Sequence, residues 1–527
     1  MLFRSAESFA TTLRRGQAPS GDFGGTNPVQ VGNGVRVANI GKDMSSGGQN
    51  PTGKPFDLAI DGKGFFAVSD GQRTLYTRDG SFSVDADNYL VDPSTGNRLQ
   101  RAGSVGEAEG FQETGNDDIK IPHDSVLPAK HTGKMTFSGN LQADAATPTA
   151  THLSASDLQY AKTSGGLADS TTAFADIKQL QGFSSGDTIH ISGRARDGSA
   201  VSGSYTYSSG DTLGDLLSEI ESVFAGAATP TQVDAHIEEG RVHIKQQNEG
   251  YSMLDVNLDS PSHSGAVPAE FDYEKVGGAA SHSTNITVYD GQGGSHTLSA
   301  TFVRQGPESD AWDLVVNSVQ GAREIPDRRI CGLTFDSQGL LAGVSKTDGY
   351  GNTTTTNPEI DGDVAVQFEK GGATRTMKAD FGEIGGRSGL TQFGGEFSAG
   401  AESQDGHAPG RLRDVTIDGS GVIKGRFTNG VTKDIARIAL ATFSNPEGLA
   451  RAGDNYFRAT PAAGTPHHTS GQVGGAGKIR QGALEESNVK ISEEFPRLIT
   501  AQRGFQVNSR AVRVANNVLK ELANIAV

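Results

Sequence analysis

Glycine occurs 71 times among the 527 residues of this chain, and this frequency limits what the chain can fold into. It is about twice the glycine content of an average soluble protein. Hydrophobic residues make up 35% of the chain and aromatic residues 7%, so short strands around thin cores are expected. The chain is much longer than a usual domain, and roughly three or four small β-rich domains are therefore predicted.

Two blocks of alternating apolar residues flank a long middle segment. In the early block, residues 56–99, hairpins are predicted around the turns Asp61–Gly62 and Asp79–Gly80. The late block covers residues 415–443 and has the same pattern. Between them, another hairpin is predicted over residues 286–303. A mainly β fold follows from these patterns.

One part of the middle segment differs from the rest. Residues 160–270 show two strand patterns, an amphipathic stretch and two further strand patterns. The amphipathic stretch predicts a helix over residues 213–224, with its apolar positions forming a packed face. An α+β insert is therefore predicted here.

Both ends of the chain show helical spacing. Residues 1–15 place Leu2, Ala6, Phe9 and Leu13 on one face, and Gly16 and Pro19 follow. At the other end, apolar residues recur every seven positions from Leu484. The positions in this heptad series are Leu484, Ile491, Leu498, Phe505, Val512, Leu519 and Ala526, with Ala501, Asn508, Ala515 and Leu522 three residues further on. The pattern predicts a coiled-coil-like C-terminal helix; the alternative is an amphipathic helix packed on its own domain.

The charge of the chain is unevenly distributed. There are 46 basic and 62 acidic residues, for a net charge of −16. Residues 1–15 carry +2 (three Arg, one Glu) and residues 480–527 carry +2 (seven basic, five acidic), which leaves −20 in the middle. An acidic middle argues against binding to nucleic acid or an anionic membrane, and near-neutral ends suggest contacts with protein. No apolar run is long enough for membrane insertion, and no cleaved signal sequence is recognisable at the start.

No pattern in the sequence indicates a chemical site. Cys331 is the single cysteine, which excludes an intramolecular disulfide and a cysteine-based metal cluster. The twelve histidines form no HExxH motif, and His467 and His468 are interpreted as a solvated pair. The acidic segment from Asp85 to Asp92 is interpreted as turns because it lacks the glycine and the terminal glutamate of an EF-hand. No GxSxG elbow is present. We therefore predict no catalytic residue, no cofactor site and no metal site.

Several motifs resemble the flagellar rod and hook protein family. The early ones are TNPVQVGNG at residues 26–34, FDLAIDGKGFF at residues 56–66 and YTRDGSF at residues 76–82. The late ones are IALATFSNPEGL at residues 438–449, QGALEESNV at residues 481–489 and AQRGFQVNSR at residues 501–510. Together they cover about the first and last hundred residues, in the family's order.

The resemblance implies a structural subunit and not an enzyme. Rod proteins of the family are much shorter, so the long acidic middle favours the hook branch, whose members form a curved tube that joins the rod and basal body to the filament. The family also opens with a further helix that pairs with the C-terminal one; this chain is expected to start beyond it.

A nested domain order is implied. It comprises a terminal axial region (1–39 and 476–527), an inner β domain (40–140 and 390–475), an outer β domain (141–160 and 270–389) and an outermost α+β insert (161–269). The residues expected at subunit contacts are Leu2, Phe9, Leu13, Ile491, Leu498, Phe505, Val512, Leu519 and Leu522.

The resemblance also implies the partners and the location. The chain is expected to bind copies of itself, the distal rod, the hook cap, the hook–filament junction proteins and the type III flagellar export apparatus, in an extracellular polymer used for motility. Two alternatives remain open, namely a distal rod protein and a secreted β-rich binding or adhesin module. The adhesin alternative predicts an exposed aromatic platform, whereas the single tryptophan, Trp312, lies in an alternating strand pattern.

Overall fold

The computed structural model divides the chain into two units. It describes residues 3–14, 29–42, 44–123, 125–155, 158–268, 270–307, 309–344, 361–368, 373–488 and 491–525, with residues 3–14, 29–42, 361, 491, 493, 519 and 522–525 described by their backbone alone. Unit 1 comprises residues 1–127 and 410–527, and unit 2 comprises residues 128–409. The second unit is therefore an insertion in the first.

Unit 1 begins with two long strands, which are followed by short ones. They are β1 (Phe3–Arg14), β2 (Val29–Lys42), β3 (Gln49–Pro51), β4 (Leu58–Asp61), β5 (Phe65–Ser69), β6 (Thr74–Thr77), β7 (Ser83–Val84), β8 (Leu90–Val91), β9 (Arg98–Leu99) and β10 (Val126–Leu127).

Unit 2 contains longer strands and one α-helix among its described residues. The elements are β11 (Lys134–Asn140), β12 (His152–Ser154), β13 (Thr188–Arg194), β14 (Ala200–Thr206), α1 (Leu213–Ala225), β15 (Val233–Glu238), β16 (Arg241–Gln246), β17 (Asp255–Asp259), β18 (Asp272–Lys275), β19 (Ala280–Tyr289), β20 (Ser295–Arg304), β21 (Trp312–Val319), β22 (Ala322–Asp327), β23 (Arg329–Phe335), β24 (Leu341–Val344), β25 (Asp361–Phe368), β26 (Thr374–Asp380), β27 (Leu390–Thr391) and β28 (Gly400–Gln404). Short 3₁₀ turns occupy Phe174–Asp176 and Lys178–Leu180.

Unit 1 then resumes and ends in a long helix. Its elements are β29 (Gly410–Ile417), β30 (Val422–Phe427), β31 (Thr432–Arg437), β32 (Leu440–Thr442), a 3₁₀ turn (Pro446–Gly448), β33 (Ala450–Gly453), β34 (Tyr456–Arg458), β35 (His467–Thr469), β36 (Lys478–Gln481), β37 (Ala483–Glu485) and α2 (Ile491–Ile525). The mainly β class, with a helix in the insert and a C-terminal helix, is confirmed.

Early and late strands of unit 1 pair with one another. Strand β4 pairs with β36, β5 with β32, β6 with β34, and β3 with β37, all antiparallel. Large buried side chains from both parts of the chain, such as Phe66 and Phe427, fill its core. The predicted hairpins over 56–68 and 75–84 are wrong, because β4 bonds to β36 instead of β5, while β7 bonds to β8. Distant partners outcompeted the local turns.

The helix predicted over residues 1–15 is also wrong. Strand β1 occupies this segment and pairs with β2, with Phe3 opposite Lys42 and Arg14 opposite Val29. Phe3, Phe9 and Leu13 are all odd-numbered positions, so their spacing fits the two-residue period of a strand as well as a helical face. The valine-rich partner segment decides between the two, since β-branched residues favour strands.

Unit 2 holds two hydrophobic cores. One lies in the insert, where the predicted helix is confirmed as α1, and Leu216, Ile220 and Phe224 of this helix are fully or almost fully buried. The other core includes Phe137, Phe302 and Trp312. The predicted hairpin over 286–303 is confirmed by the pairing of β19 with β20. Residues 128–140 and 390–409 belong to unit 2, although the sequence-based boundaries placed them in the inner domain.

A buried ion pair within the five-stranded sheet β19-β20-β21-β23-β24 is hydrogen-bonded to the insert. Asp313 on β21 is fully buried and accepts hydrogen bonds from Arg329 (3.1 Å), Gln305 (2.9 Å) and the Gly332 amide (3.0 Å), and also from the Tyr251 hydroxyl. Burial disfavours the charged form of Arg329, yet the facing Asp313 carboxylate together with the nearby Tyr273, Tyr251 and Cys331 outweighs it and raises the pKa of the guanidinium. Tyr251 comes from the insert, so Asp313 joins two parts of the unit.

Replacing Asp313 should destabilise unit 2 strongly. Asp313→Ala would leave the Arg329 charge buried without its carboxylate, and we expect the free energy of unfolding to fall by about 3–5 kcal/mol. Trp312 is the single tryptophan, so its fluorescence during urea unfolding reports on unit 2 alone. Asp310→Ala, at a neighbouring exposed position, is the control and should change the stability by about 0.5 kcal/mol or less. Equal midpoints for the two variants would contradict the role of Asp313.

Candidate assembly surface

The C-terminal helix α2 is much longer than the other helices that the structure describes. Its 35 residues give it a length of about 52 Å. Its sequence is rich in strong helix formers, with Pro496 in its second turn and Gly504 as its only glycine. The predicted helix is confirmed, but it begins at Ile491, whereas Leu484 lies in β37. The heptad series therefore enters the helix one repeat later than predicted.

Three apolar residues of the heptad series form an exposed row on α2. Leu498, Phe505 and Val512, here called the first stripe, expose 57–63% of their surface. Because seven residues make almost two full turns, each lies within about 20° of the one before. Ile491, Leu519 and Leu522 lie on the same helix, but their side chains are outside the described set. The first stripe is thus available to a partner.

A second exposed apolar row on α2 was not predicted from the sequence. Val507, Val514 and Val518, here called the second stripe, expose 51–64% of their surface. Val507 lies nine residues after Leu498, which places it about 180° around the helix from the first stripe. The seven-residue spacing from Val507 to Val514 is the signal that could have revealed this row. A helix that is apolar on opposite faces can bind partners on two sides.

Exposing both stripes to water is unfavourable. Burying one large aliphatic or aromatic side chain contributes about 1.5–3 kcal/mol. Six such residues therefore provide a large driving force for association, even after the entropy cost of ordering the partner. The arrangement can drive assembly between helices.

The start of α2 is fixed to the first residues of unit 1. The Glu485 carboxylate accepts hydrogen bonds from Arg78 (3.1 Å) and from the Gly47 amide (2.9 Å), and the Asn488 amide group donates to the Ser45 carbonyl (3.0 Å). Arg78 and Glu485 are about nine-tenths buried. We call this group of five residues the helix anchor. It holds the chain in place just before the helix begins.

The N-terminal interface residues occupy a strand. Phe9 and Leu13 lie in β1, with their side chains outside the described set, and Leu2 lies outside the described residues altogether. The described backbone of β1 pairs with β2. Their role in subunit contacts stays a prediction.

The acidic segment considered for calcium binding forms turns. The Asp85 carboxylate accepts the amide hydrogens of Asp87 (2.9 Å) and Tyr89 (2.7 Å), and the Asp92 carboxylate accepts that of Ser94 (2.8 Å). These oxygens cap local backbone groups, and the interpretation as turn residues is confirmed. No helix within the described ranges combines the length and the apolar character that crossing a membrane requires.

Three protein-family descriptions match successive parts of the chain. They are the flagellar hook protein FlgE/F/G D1 domain over residues 59–137, the flagellar basal body protein FlaE D2 domain over residues 257–407, and the flagellar basal body rod FlgEFG protein C-terminal region over residues 480–525. The third match covers β37 and all of α2.

Individual proteins resemble the chain over most of its length. The flagellar hook protein FlgE of Borreliella burgdorferi is 26% identical over 96% of this chain and 87% of its own length. That of Treponema pallidum is 26% identical over 96% of this chain and 88% of its own length. The crystal structure of Helicobacter pylori flagellar hook protein FlgE2 aligns with a TM-score of 0.42 and 18% identity, covering 83% of this chain and all of that one.

These matches agree in order and in kind. The family descriptions follow one another along the chain in the order in which the early block, unit 2 and α2 occur. The relatives that span most of the chain are hook proteins. The chain belongs to the flagellar hook protein family.

Proposed function

We propose that this chain is the structural subunit of the bacterial flagellar hook. Copies of it polymerise into a curved extracellular tube that links the rod and basal body to the filament and transmits torque for motility. The observation that carries this proposal is helix α2, whose apolar stripes are exposed on two opposite faces. The hook proteins that resemble the chain support it.

Two opposite contact faces suit an open polymer. When one surface of a subunit binds a different surface of the next and the rotation does not close a ring, a helical assembly results. A helix with one apolar face would be satisfied by a single partner, whereas α2 offers a face to each of two neighbours. Interface residues in this proposal are those of the first stripe and, by continuity of the heptad series, Ile491, Leu519 and Leu522, together with the second stripe.

The proposed role is structural and not catalytic. The cores of both units are formed mainly by antiparallel strands, and the ends of the chain supply the contacts in this proposal. Trp312 is fully buried, so it cannot provide the exposed aromatic platform that an adhesin would use. The further partners in this proposal are the distal rod, the hook cap, the junction proteins and the export apparatus. The proposal also includes the arrangement of the four domains in radial layers.

Charged substitutions on the stripes test the proposal. In the native bacterium, we would replace the chromosomal gene with Phe505→Asp/Val512→Asp on the first stripe, or with Val507→Asp/Val514→Asp on the second. Both pairs should abolish hook tubes in electron micrographs and abolish swimming, because each buried carboxylate would cost several kcal/mol at a helix–helix contact. Unassembled subunit should remain detectable by immunoblot.

The control carries the same charge at polar positions of the same helix. Gln506 and Asn517 are exposed and lie between the stripes, so Gln506→Asp/Asn517→Asp should leave hooks and swimming intact. If only the first-stripe variant fails, α2 has one contact face. If neither variant fails, assembly does not use α2, and the binding-module alternative gains support.

The helix anchor should set the local stability of the base of α2. Glu485→Ala removes the carboxylate from buried Arg78, and we expect the free energy of opening the β3–β37 pair to fall by about 2–3 kcal/mol. Hydrogen–deuterium exchange of the amides of Gln49 and Asn50 and of residues 483–485 measures this opening. The neighbouring exposed Glu486→Ala is the control, with unchanged exchange expected. Unchanged exchange in Glu485→Ala would show that strand pairing alone holds the helix base.

A further inference from the structure

Three neighbouring strands of the insert bring two histidines and a glutamate together. They are β16, β12 and β18 of the sheet β15-β16-β12-β18, which contribute His243, His152 and Glu274. His152 Nδ1 lies 2.9 Å from Glu274 Oε2, and His243 Nδ1 lies 3.5 Å from Glu274 Oε1. One ligand atom from each of the three side chains lies within 4.8 Å of the others.

The strand register explains this convergence. Leu153 pairs with Ile244 and with Tyr273, and these three side chains are buried in the core of the insert. His152 and His243 alternate with buried neighbours and so point to the other face of the sheet. Between the pairs Leu153–Tyr273 and His152–Lys275 the register shifts by one residue, which leaves Glu274 as the extra residue of a β-bulge. Bulges commonly redirect a side chain in this way.

Some ring nitrogens in and beside this cluster have no hydrogen-bond partner. His152 Nε2 and His243 Nδ1 are shielded from solvent, and neither has a hydrogen-bond partner among the described residues. The same is true of Nδ1 of His236, whose ring stacks on His243 at a centroid distance of 5.6 Å. Leaving buried polar groups unpaired is unfavourable. His243 Nδ1 is also the nitrogen that lies 3.5 Å from the Glu274 carboxylate, so an ion bound at this point would give it a partner.

We propose that His152, His243 and Glu274 bind a divalent transition-metal ion of the Zn²⁺ class. Imidazole nitrogen with carboxylate oxygen is a ligand set that Zn²⁺ accepts. Bonds of about 2.0–2.2 Å in a tetrahedral arrangement place ligand atoms about 3.3 Å apart, and the separations of 2.9 and 3.5 Å bracket this value. Water completes the coordination.

The ion would link strands that are far apart in sequence. It would tie β12 to β16 and β18, and so close the chain segment from His152 to Glu274, which contains the insert, around its hydrophobic core. Metal sites of this kind contribute directly to folding stability. Lys245 and Lys275 pair with His152 in the two flanking strands, and their positive charge lowers the affinity that the three ligands alone would have. The site is separate from α2 and does not depend on the proposed assembly.

Binding of Zn²⁺ to the untagged full chain tests the inference. After dialysis against chelator, titration with Zn²⁺ in competition with a chromophoric chelator should reveal one tight equivalent per chain. At a hundred-fold excess over Kd, the melting temperature of unit 2, followed by Trp312 fluorescence, should rise by about 5 °C. Replacement of Zn²⁺ by Co²⁺ should give the visible absorption bands of a four-coordinate site.

Variants separate this site from incidental binding. His152→Ala/His243→Ala should lose the tight equivalent and the thermal shift, and Glu274→Gln should weaken both while keeping the side-chain volume. His467→Ala/His468→Ala removes the same number of imidazoles from exposed positions of β35 and should retain both. Circular dichroism confirms folding in each case. The inference is overturned if the wild-type chain binds no equivalent, or if the three variants bind alike.

Discussion

Antiparallel pairing between the first and last parts of the chain is the constraint on which the rest of this structure depends. Ile60 lies opposite Ile479, Phe66 opposite Leu440, and Tyr76 opposite Phe457. Closing a loop of several hundred residues costs entropy that grows only slowly with its length, and the shared core of unit 1 offsets this cost. Everything between Leu127 and Gly410, which are themselves paired, becomes an insertion. The same pairing fixes the strand from which α2 continues.

The distribution of apolar residues separates what the chain buries alone from what it buries with partners. Within the two units, large side chains such as Phe66, Phe224 and Trp312 are almost completely buried. Along α2, residues of comparable size remain exposed on two faces. A monomer gains nothing from this exposure, whereas a polymer converts it into contact area. Burial of apolar side chains within the β units therefore stabilises the fold, whereas the exposed apolar side chains of α2 are available to stabilise the assembly.

Buried ion pairs connect separate parts of the fold. Asp313 and Arg329 bind Tyr251 and the Ser252 carbonyl of the insert, and Arg78 and Glu485 join elements distant in sequence at the base of α2. In each pair the backbone also contributes hydrogen bonds, so the desolvation of the charges is compensated. In the histidine cluster, by contrast, His243 Nδ1 is shielded from solvent and has no hydrogen-bond partner among the described residues, and this difference supports the proposed metal site.

Local patterns in the sequence determined the class of fold, helices α1 and α2, the hairpin β19–β20 and the first stripe, because amphipathic periodicity and turn residues act over a few positions. The motifs at both ends also determined the family. Only the tertiary structure decided that β4 pairs with β36 and not with β5, and that β1 is a strand, since partners hundreds of residues away, or a valine-rich neighbour, settle such competitions. It also brought together His152, His243 and Glu274, which no spacing rule connects, because strand register and a bulge set which side chains share a face of a sheet.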